Sequence, residues 1–153
     1  MNKKFKIQKA FTLIELLVVV AVIAILAGVV LSSTSNSRAR GANTGVKTNL
    51  RTVLQQSELY YLNNANTYGT ITHSLGPCTQ LAGTPFSDPV TWSAILETQK
   101  QTGGVMPTCV STPNAYAVSA KFKTQDQTFT YWCIDSQGNA KGETSNITDV
   151  ICN

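Results

Sequence analysis

Glu15 is the residue whose chemistry is hardest to place in this chain. It stands as the one acid in KAFTLIELLVVVAVIAILAGVVL, residues 9–31. An ionised carboxylate inside an apolar helix costs about 2–3 kcal/mol on membrane-insertion scales, so such groups are paired and functional. No Lys or Arg follows Lys9 until Arg38. A cation within reach is the one made by hydrolysing the Ala10–Phe11 bond, which gives Phe11 a positive α-amino group. An identical neighbouring chain carrying that amine would neutralise Glu15. The second group with chemistry is the four cysteines, Cys78, Cys109, Cys133 and Cys152, all beyond the apolar run. An even number in an exported small domain predicts two disulfides out of three connectivities. Nearest pairing favours Cys78 with Cys109 and Cys133 with Cys152, and a mixed pairing such as Cys78 with Cys133 is the alternative. Each bridge would contribute about 3–4 kcal/mol by constraining the unfolded chain.

Catalytic patterns are missing from the sequence. His73 is the only histidine, sits in a Gly/Thr/Ser-rich stretch and reads as an exposed, inert side chain. The sequence has no CxxC, HExxH, GxSxG or phosphate-cradling loop, so no metal, catalytic residue or cofactor is expected. Asn146-Ile147-Thr148 has the form of a glycosylation acceptor, a pattern frequent by chance.

The elements that must position these residues follow from hydropathy. Phe11 to Leu31, as a helix, reaches about 30 Å, the thickness of a bilayer's hydrocarbon core. Lys3, Lys4, Lys6 and Lys9 precede it, and a Lys/Arg excess stays cytoplasmic. The amino terminus is therefore expected inside and residues 32–153 outside. Twelve basic against eight acidic residues give the chain a formal charge of +4. Those four lysines carry it, because cutting after Ala10 leaves eight of each sign. The charge thus argues for an orientation and not for a nucleic-acid partner. Arg38, Arg40, Lys47 and Arg51 could meet DNA, but no aromatic stacking platform accompanies them to support it. A secretory signal cut near Ser33-Thr34-Ser35 fits poorly, since its apolar core is about 7–15 residues and lacks a carboxylate. An uncut signal anchor is the other plain reading.

A short basic leader ending in a small residue, then FTLIELL and a run of aliphatics, resembles the processing site of type IV prepilins and of the related type II secretion pseudopilins. This chain has Ala10 where that family usually has Gly. The resemblance implies cleavage between Ala10 and Phe11 by a prepilin peptidase, N-methylation of Phe11, and a role for Glu15 in docking subunits into a homopolymer. It further implies a membrane assembly platform and an assembly ATPase as partners, and no enzymatic activity of its own. The implied place is the cytoplasmic membrane first and an extracellular pilus afterwards, with adhesion, twitching motility or DNA uptake as the work of the filament. A pseudopilin of a type II secretion system is the alternative, and a membrane-anchored binding module that never assembles comes third. Some pseudopilins hold calcium in a carboxyl-terminal loop, for which Asp135, Asn139 and Glu143 are the residues to weigh.

The rest of the chain reads as α+β. Ala39, Ala42, Val46, Leu50, Val53, Ser57 and Tyr60 recur at helical spacing with Arg40, Lys47, Arg51 and Glu58 away from that stripe. Residues 32–64 are thus expected to continue the helix of 11–31 amphipathically, although Gly28, Gly41, Gly45 and the Ser/Thr/Asn cluster at 32–37 weaken it. Asn63-Asn64-Ala65-Asn66 should end it. Thr67 to Thr91 reads as loop, and residues 90–101 as a short helix capped by Ser87 or Asp88. AYAVSAKFK, with Tyr116, Val118, Ala120 and Phe122 alternating, and TFTYWCI, with Phe129, Tyr131 and Cys133 on one face, predict two antiparallel strands turning at Thr124–Gln127. A third strand is expected at about 140–144. Leader 1–10, helix 11–31, helix 32–64 and head 65–153 together resemble the pilin fold, a long amino-terminal helix packed on a small antiparallel sheet.

Overall fold

Helix begins where the first turn can be capped and continues because no proline interrupts residues 11–63. The computed structural model describes residues 11–153, with α1 spanning Leu13–Asn63. The chain divides into two units, one ending at Ser37 and one covering Arg38–Asn153. In the first unit every large apolar side chain from Phe11 to Val30 is exposed, between 48% at Val20 and 86% at Phe11. The helix is apolar all round rather than striped, which is the pattern of a helix that lipid or other helices must cover.

In the second unit α1 is amphipathic. Asn43, Val46, Leu50, Val53 and Ser57 are buried at alternating steps of three and four, while Ala39, Ala42 and Tyr60 at the stripe's ends are only half-buried. The helix stops where Ala65 and Asn66 take positive φ values of 55° and 60°. The Asn66 N–H donates to the Tyr61 carbonyl at 3.1 Å and the Asn64 amide to the Tyr60 carbonyl at 2.7 Å. Two of the last carbonyls are thereby satisfied.

Beyond it come β1 (His73–Pro77), a 3-10 turn at Pro85–Ser87, α2 (Pro89–Gln101), β2 (Thr108–Ser111), β3 (Tyr116–Asp126), β4 (Phe129–Asp135) and β5 (Ala140–Glu143). Asp88 caps α2, its carboxylate accepting from the Val90 and Thr91 N–H groups at 2.9 and 2.8 Å, with Pro89 at the first helical position. The face α2 buries is Thr91, Ala94, Ile95 and Thr98, and Trp92 and Leu96 beside it are half-buried. The five strands pair antiparallel in chain order, a meander.

Two strands arise where the sequence predicts none. HSLGP and TCVS are too short and too poor in alternating apolar residues to signal strand, and β1 lies at the sheet edge, where Gly76 and Pro77 are tolerated. The turn after β3 is also tighter than expected. β3 runs on to Asp126, which pairs with Phe129 across a register shift, and Gln127 turns the chain with φ 58°.

The sheet buries both faces. Tyr116, Val118, Ala120, Phe122 and Ile134, with Trp132, pack on Val46, Leu50 and Val53 of α1 and on Phe86 and Ile95. Val110, Ala117 and Cys133 face the other way and are covered by Ile147 and Cys152 of the carboxyl-terminal tail. Phe129, Tyr131 and Cys133, expected on one face of β4, differ in burial, with Cys133 buried and the other two half-buried. Trp132 and Ile134 meet the helix, and Cys133 lies beneath the tail. Alternation identifies one buried face only when the other is wet.

Asn43 ties helix to sheet. Its side-chain oxygen accepts from the Lys123 N–H at 3.0 Å and its amide donates to the Thr124 carbonyl at 2.7 Å. Beside it, Lys47 reaches Asp126 at 2.6 Å and lies 5.4 and 4.9 Å from the ring centres of Phe122 and Trp132. Replacing Asn43 by alanine strands both backbone groups and is expected to destabilise this unit by about 2 kcal/mol, read as a lowered thermal midpoint.

A tyrosine ladder, Tyr61, Tyr68 and Tyr116, stacks with ring centres 4.7 and 4.9 Å apart at the far end of this helix segment. The Tyr68 hydroxyl donates to the Glu58 carboxylate at 2.8 Å. Burial, then the Glu58 carboxylate, push the hydroxyls of both Tyr68 and Tyr116 above the usual tyrosine range. Raised acids favour the folded state while protonated, so this stability is complete below pH about 10 and is lost as pH climbs beyond it. Alkaline unfolding is expected to shift to higher pH in Tyr116→Phe, read as circular dichroism against pH relative to neutral stability.

Candidate functional site

The start of α1 holds Phe11, Thr12 and Glu15. The Thr12 N–H and hydroxyl both donate to Glu15 Oε2 at 2.8 Å, and the Glu15 N–H donates back to Thr12 Oγ1 at 3.3 Å. This is a reciprocal capping box, in which the threonine at the N-cap and the acid three residues on satisfy each other's backbone donors. Thr12 is a residue the sequence reading passed over, although T-x-x-E ahead of an apolar run is its signature. Among the described residues the hydrogen bonds to the Glu15 carboxylate all fall on Oε2. Ala10 and the leader 1–10 lie outside the described residues, so the Ala10–Phe11 junction is seen only from its Phe11 side.

A window of α1 has a mean hydropathy of 3.1 and is long and apolar enough to cross a membrane. Among the described residues no side chain covers the apolar stretch Phe11–Val30, and Glu15 meets Thr12.

The cysteines are brought together in pairs by the sheet. Cys78, just after β1, bonds to Cys109 of β2 with Cα atoms 4.8 Å apart, and Cys133 of β4 bonds to Cys152 with Cα atoms 5.8 Å apart. The second bridge works with Asp135, which is fully buried. Its Oδ1 accepts from the Gln137 and Asn139 N–H groups at 2.9 and 3.1 Å, and its Oδ2 from the Asn139 amide at 2.8 Å and the Cys152 N–H at 2.9 Å. One carboxylate thus pins the β4–β5 turn and the tail together. Its oxygens are committed to N–H donors and the Asn139 amide points its hydrogens at them, an arrangement built for holding a turn and unsuited to a cation. Among the described residues no three His, Cys, Asp or Glu side chains converge on a metal site.

His73 is not the exposed loop residue expected. It opens β1, is buried, and meets the Phe86 ring edge-on at 5.4 Å. Nδ1 lies 2.9 Å from the Ser74 carbonyl and so carries the proton, while Nε2 accepts from the Thr79 hydroxyl at 2.9 Å. Both nitrogens serve the fold. Asn146 donates its amide to Thr108 Oγ1 at 2.8 Å, so the atom that a glycan would need already holds the tail to β2. Of the basic residues weighed for DNA, Lys47 is engaged with Asp126, and Arg38, Arg40 and Arg51 are exposed.

Residues 5–31 match the family described as the prokaryotic N-terminal methylation motif. The chain carries the type IV pilin and pseudopilin signature. Comparison with curated proteins found no match, and comparison with solved structures found none. The pilin-type motif implies a structural subunit that a prepilin peptidase processes for assembly. With one long apolar amino-terminal helix, it points to membrane anchoring ahead of that assembly. The match stops at Leu31, and beyond it the pilin-like layout rests on the fold itself, a long helix followed by a five-stranded antiparallel sheet.

Proposed function

We propose that this chain is the structural subunit of a type IV pilus. In this reading residues 1–10 are a leader, the peptidase cuts before Phe11, and Phe11 is N-methylated, a change that keeps its charge. Residues 11–31 hold the subunit in the cytoplasmic membrane with the amino terminus inside, while residues 32–64 continue the helix and 65–153 form the outer head. An assembly platform and its ATPase then drive identical subunits into an extracellular filament. The observation that carries the reading is the all-round exposure of Phe11–Val30 with Glu15 among them. Such a helix leaves a bilayer only for another apolar environment, which a bundle of its own copies provides. Within that bundle Glu15 would meet a neighbour's Phe11 amine, and a misaligned neighbour would leave a buried charge unpaired, so the pair sets axial register.

The test is intact mass and amino-terminal sequencing of material sheared from expressing cells. A chain beginning at N-methylated Phe11, four hydrogens lighter for its two disulfides, is the expected result. A chain beginning after the serine cluster at 32–37, or an uncut one held in the membrane, would overturn the reading. A correctly cut chain that never appears in the sheared fraction would replace the pilus by a secretion pseudopilus.

A further inference from the structure

The head's charge is segregated. Along residues 38–47 of α1 and 121–127 of the β3–β4 hairpin stand five cations, Arg38, Arg40, Lys47, Lys121 and Lys123, against one acid, Asp126. Elsewhere in residues 38–153 three cations, Arg51, Lys100 and Lys141, stand against six acids, Glu58, Asp88, Glu97, Asp135, Glu143 and Asp149. Tertiary structure brings the two stretches side by side. Asn43 bonds both the N–H of Lys123 and the carbonyl of Thr124, and an open cleft is lined by Arg40, Asn43 and Thr44 from the helix and residues 125–127 from the hairpin. Lys121 and Lys123 are exposed on the side of β3 away from Phe122, and Arg38 and Arg40 are exposed as well. Lys47 is the member tied to the lone acid. Among the described residues no ion pair involves the other four.

This collar sits at the end of the unit nearest, along the chain, to the apolar segment. Six residues, SSTSNS at 32–37, separate Leu31 from Arg38. As helix they rise about 9 Å, close to the depth of the headgroup layer on one side of a bilayer. Arg38 and Arg40 therefore follow closely after the apolar segment along the chain, and Asn43 holds the tip with Lys121 and Lys123 to the same stretch.

We infer that the basic collar docks the head on anionic phospholipid headgroups of the bilayer in which residues 11–31 are anchored, before the subunit joins a filament. The inference rests on the membrane-anchored reading of that segment. Cations near an anionic bilayer each strengthen binding by roughly fivefold, within a Debye length of about 8–10 Å. Four cations with no ion pair among the described residues, in a unit whose other stretches hold more acids than bases, give docking its strength.

The full chain reconstituted in vesicles provides the test. In a Trp92→Phe background Trp132, 4.9 Å from Lys47, serves as donor for energy transfer to a dansyl-labelled headgroup. Transfer is expected to be stronger on phosphatidylglycerol-containing vesicles than on phosphatidylcholine vesicles, and to fall in high salt. The Lys121→Glu, Lys123→Glu double variant is expected to lower the docked-to-free ratio by roughly 25-fold or more on the anionic vesicles. If that variant misfolds, Arg38→Gln, Arg40→Gln reports instead. Vesicles that carry the chain but show transfer independent of lipid charge would overturn the collar's role and leave the membrane anchor standing. The acidic surface of a second copy would then be the partner left for these cations. A chain that fails to float with vesicles of either kind would overturn the docking and the anchor together.

Discussion

Changing Glu15 to alanine is expected to leave the chain made and inserted in the membrane while the yield of sheared filaments falls about a hundredfold or more. In the proposed filament core the Phe11 ammonium of one subunit would lose its only counter-charge, and an unpaired buried charge costs about 3–5 kcal/mol. The variant also loses the capping box with Thr12, worth about 1 kcal/mol. Thr12→Val separates the two effects, since it removes the cap and keeps the carboxylate. Its filament yield should stay within about tenfold of the natural chain, because a 1.4 kcal/mol change is tenfold in an equilibrium constant. Quantifying the subunit in sheared and membrane fractions checks both variants. Filaments in normal amount from Glu15→Ala would refute charge pairing as the source of register.

The second large effect is placed in the head. Asp135→Ala leaves three backbone N–H groups and the Asn139 amide without an acceptor, at a site with no solvent exposure. Hydrogen bonds to a charged group and the stranding of buried donors together put the loss at about 4 kcal/mol. For a unit of this size that lowers the thermal midpoint by about 15 °C. Asp135→Asn keeps an acceptor but turns an NH2 towards two of the donors, and should fall between the two. Thermal unfolding of the full chain in detergent is the measurement, and a midpoint within about 3 °C of the parent would show that the tail is held by Cys133–Cys152 alone. The exposed collar variants, by contrast, should leave the midpoint unchanged.

The long helix was legible because its signals are local. Apolar length, the absence of proline and the 3.6-residue stripe from Val46 to Ser57 are all read along one stretch of chain, and so is the stop at Asn63–Asn66. The α2 cap at Asp88 and the alternation in β3 are equally local, which is why the α+β layout follows from sequence. The edge strand β1 and its partner β2 were not legible. Their residues take extended form because a neighbour offers a ladder, and HSLGP on its own has no preference for it. The alternation of β4 was legible and its partners were not: both sides of the sheet are covered, one by α1 and one by the tail, and a period of two does not say which side meets which partner.

The sites divide in the same way. The FTLIE stretch sets one carboxylate in an apolar run, and T-x-x-E was there to be read as its capping box. What sequence by itself determined about this protein is therefore a membrane-length helix with one acid in it, four cysteines beyond it and a small sheet-containing head. Which cysteines meet, the burial of His73 against Phe86, the Asp135 hub and the gathering of Arg38, Arg40, Lys121 and Lys123 at one end were decided by tertiary structure alone. Each joins residues tens of positions apart in the chain, where no local propensity acts and only packing and hydrogen bonding across elements bring the side chains together.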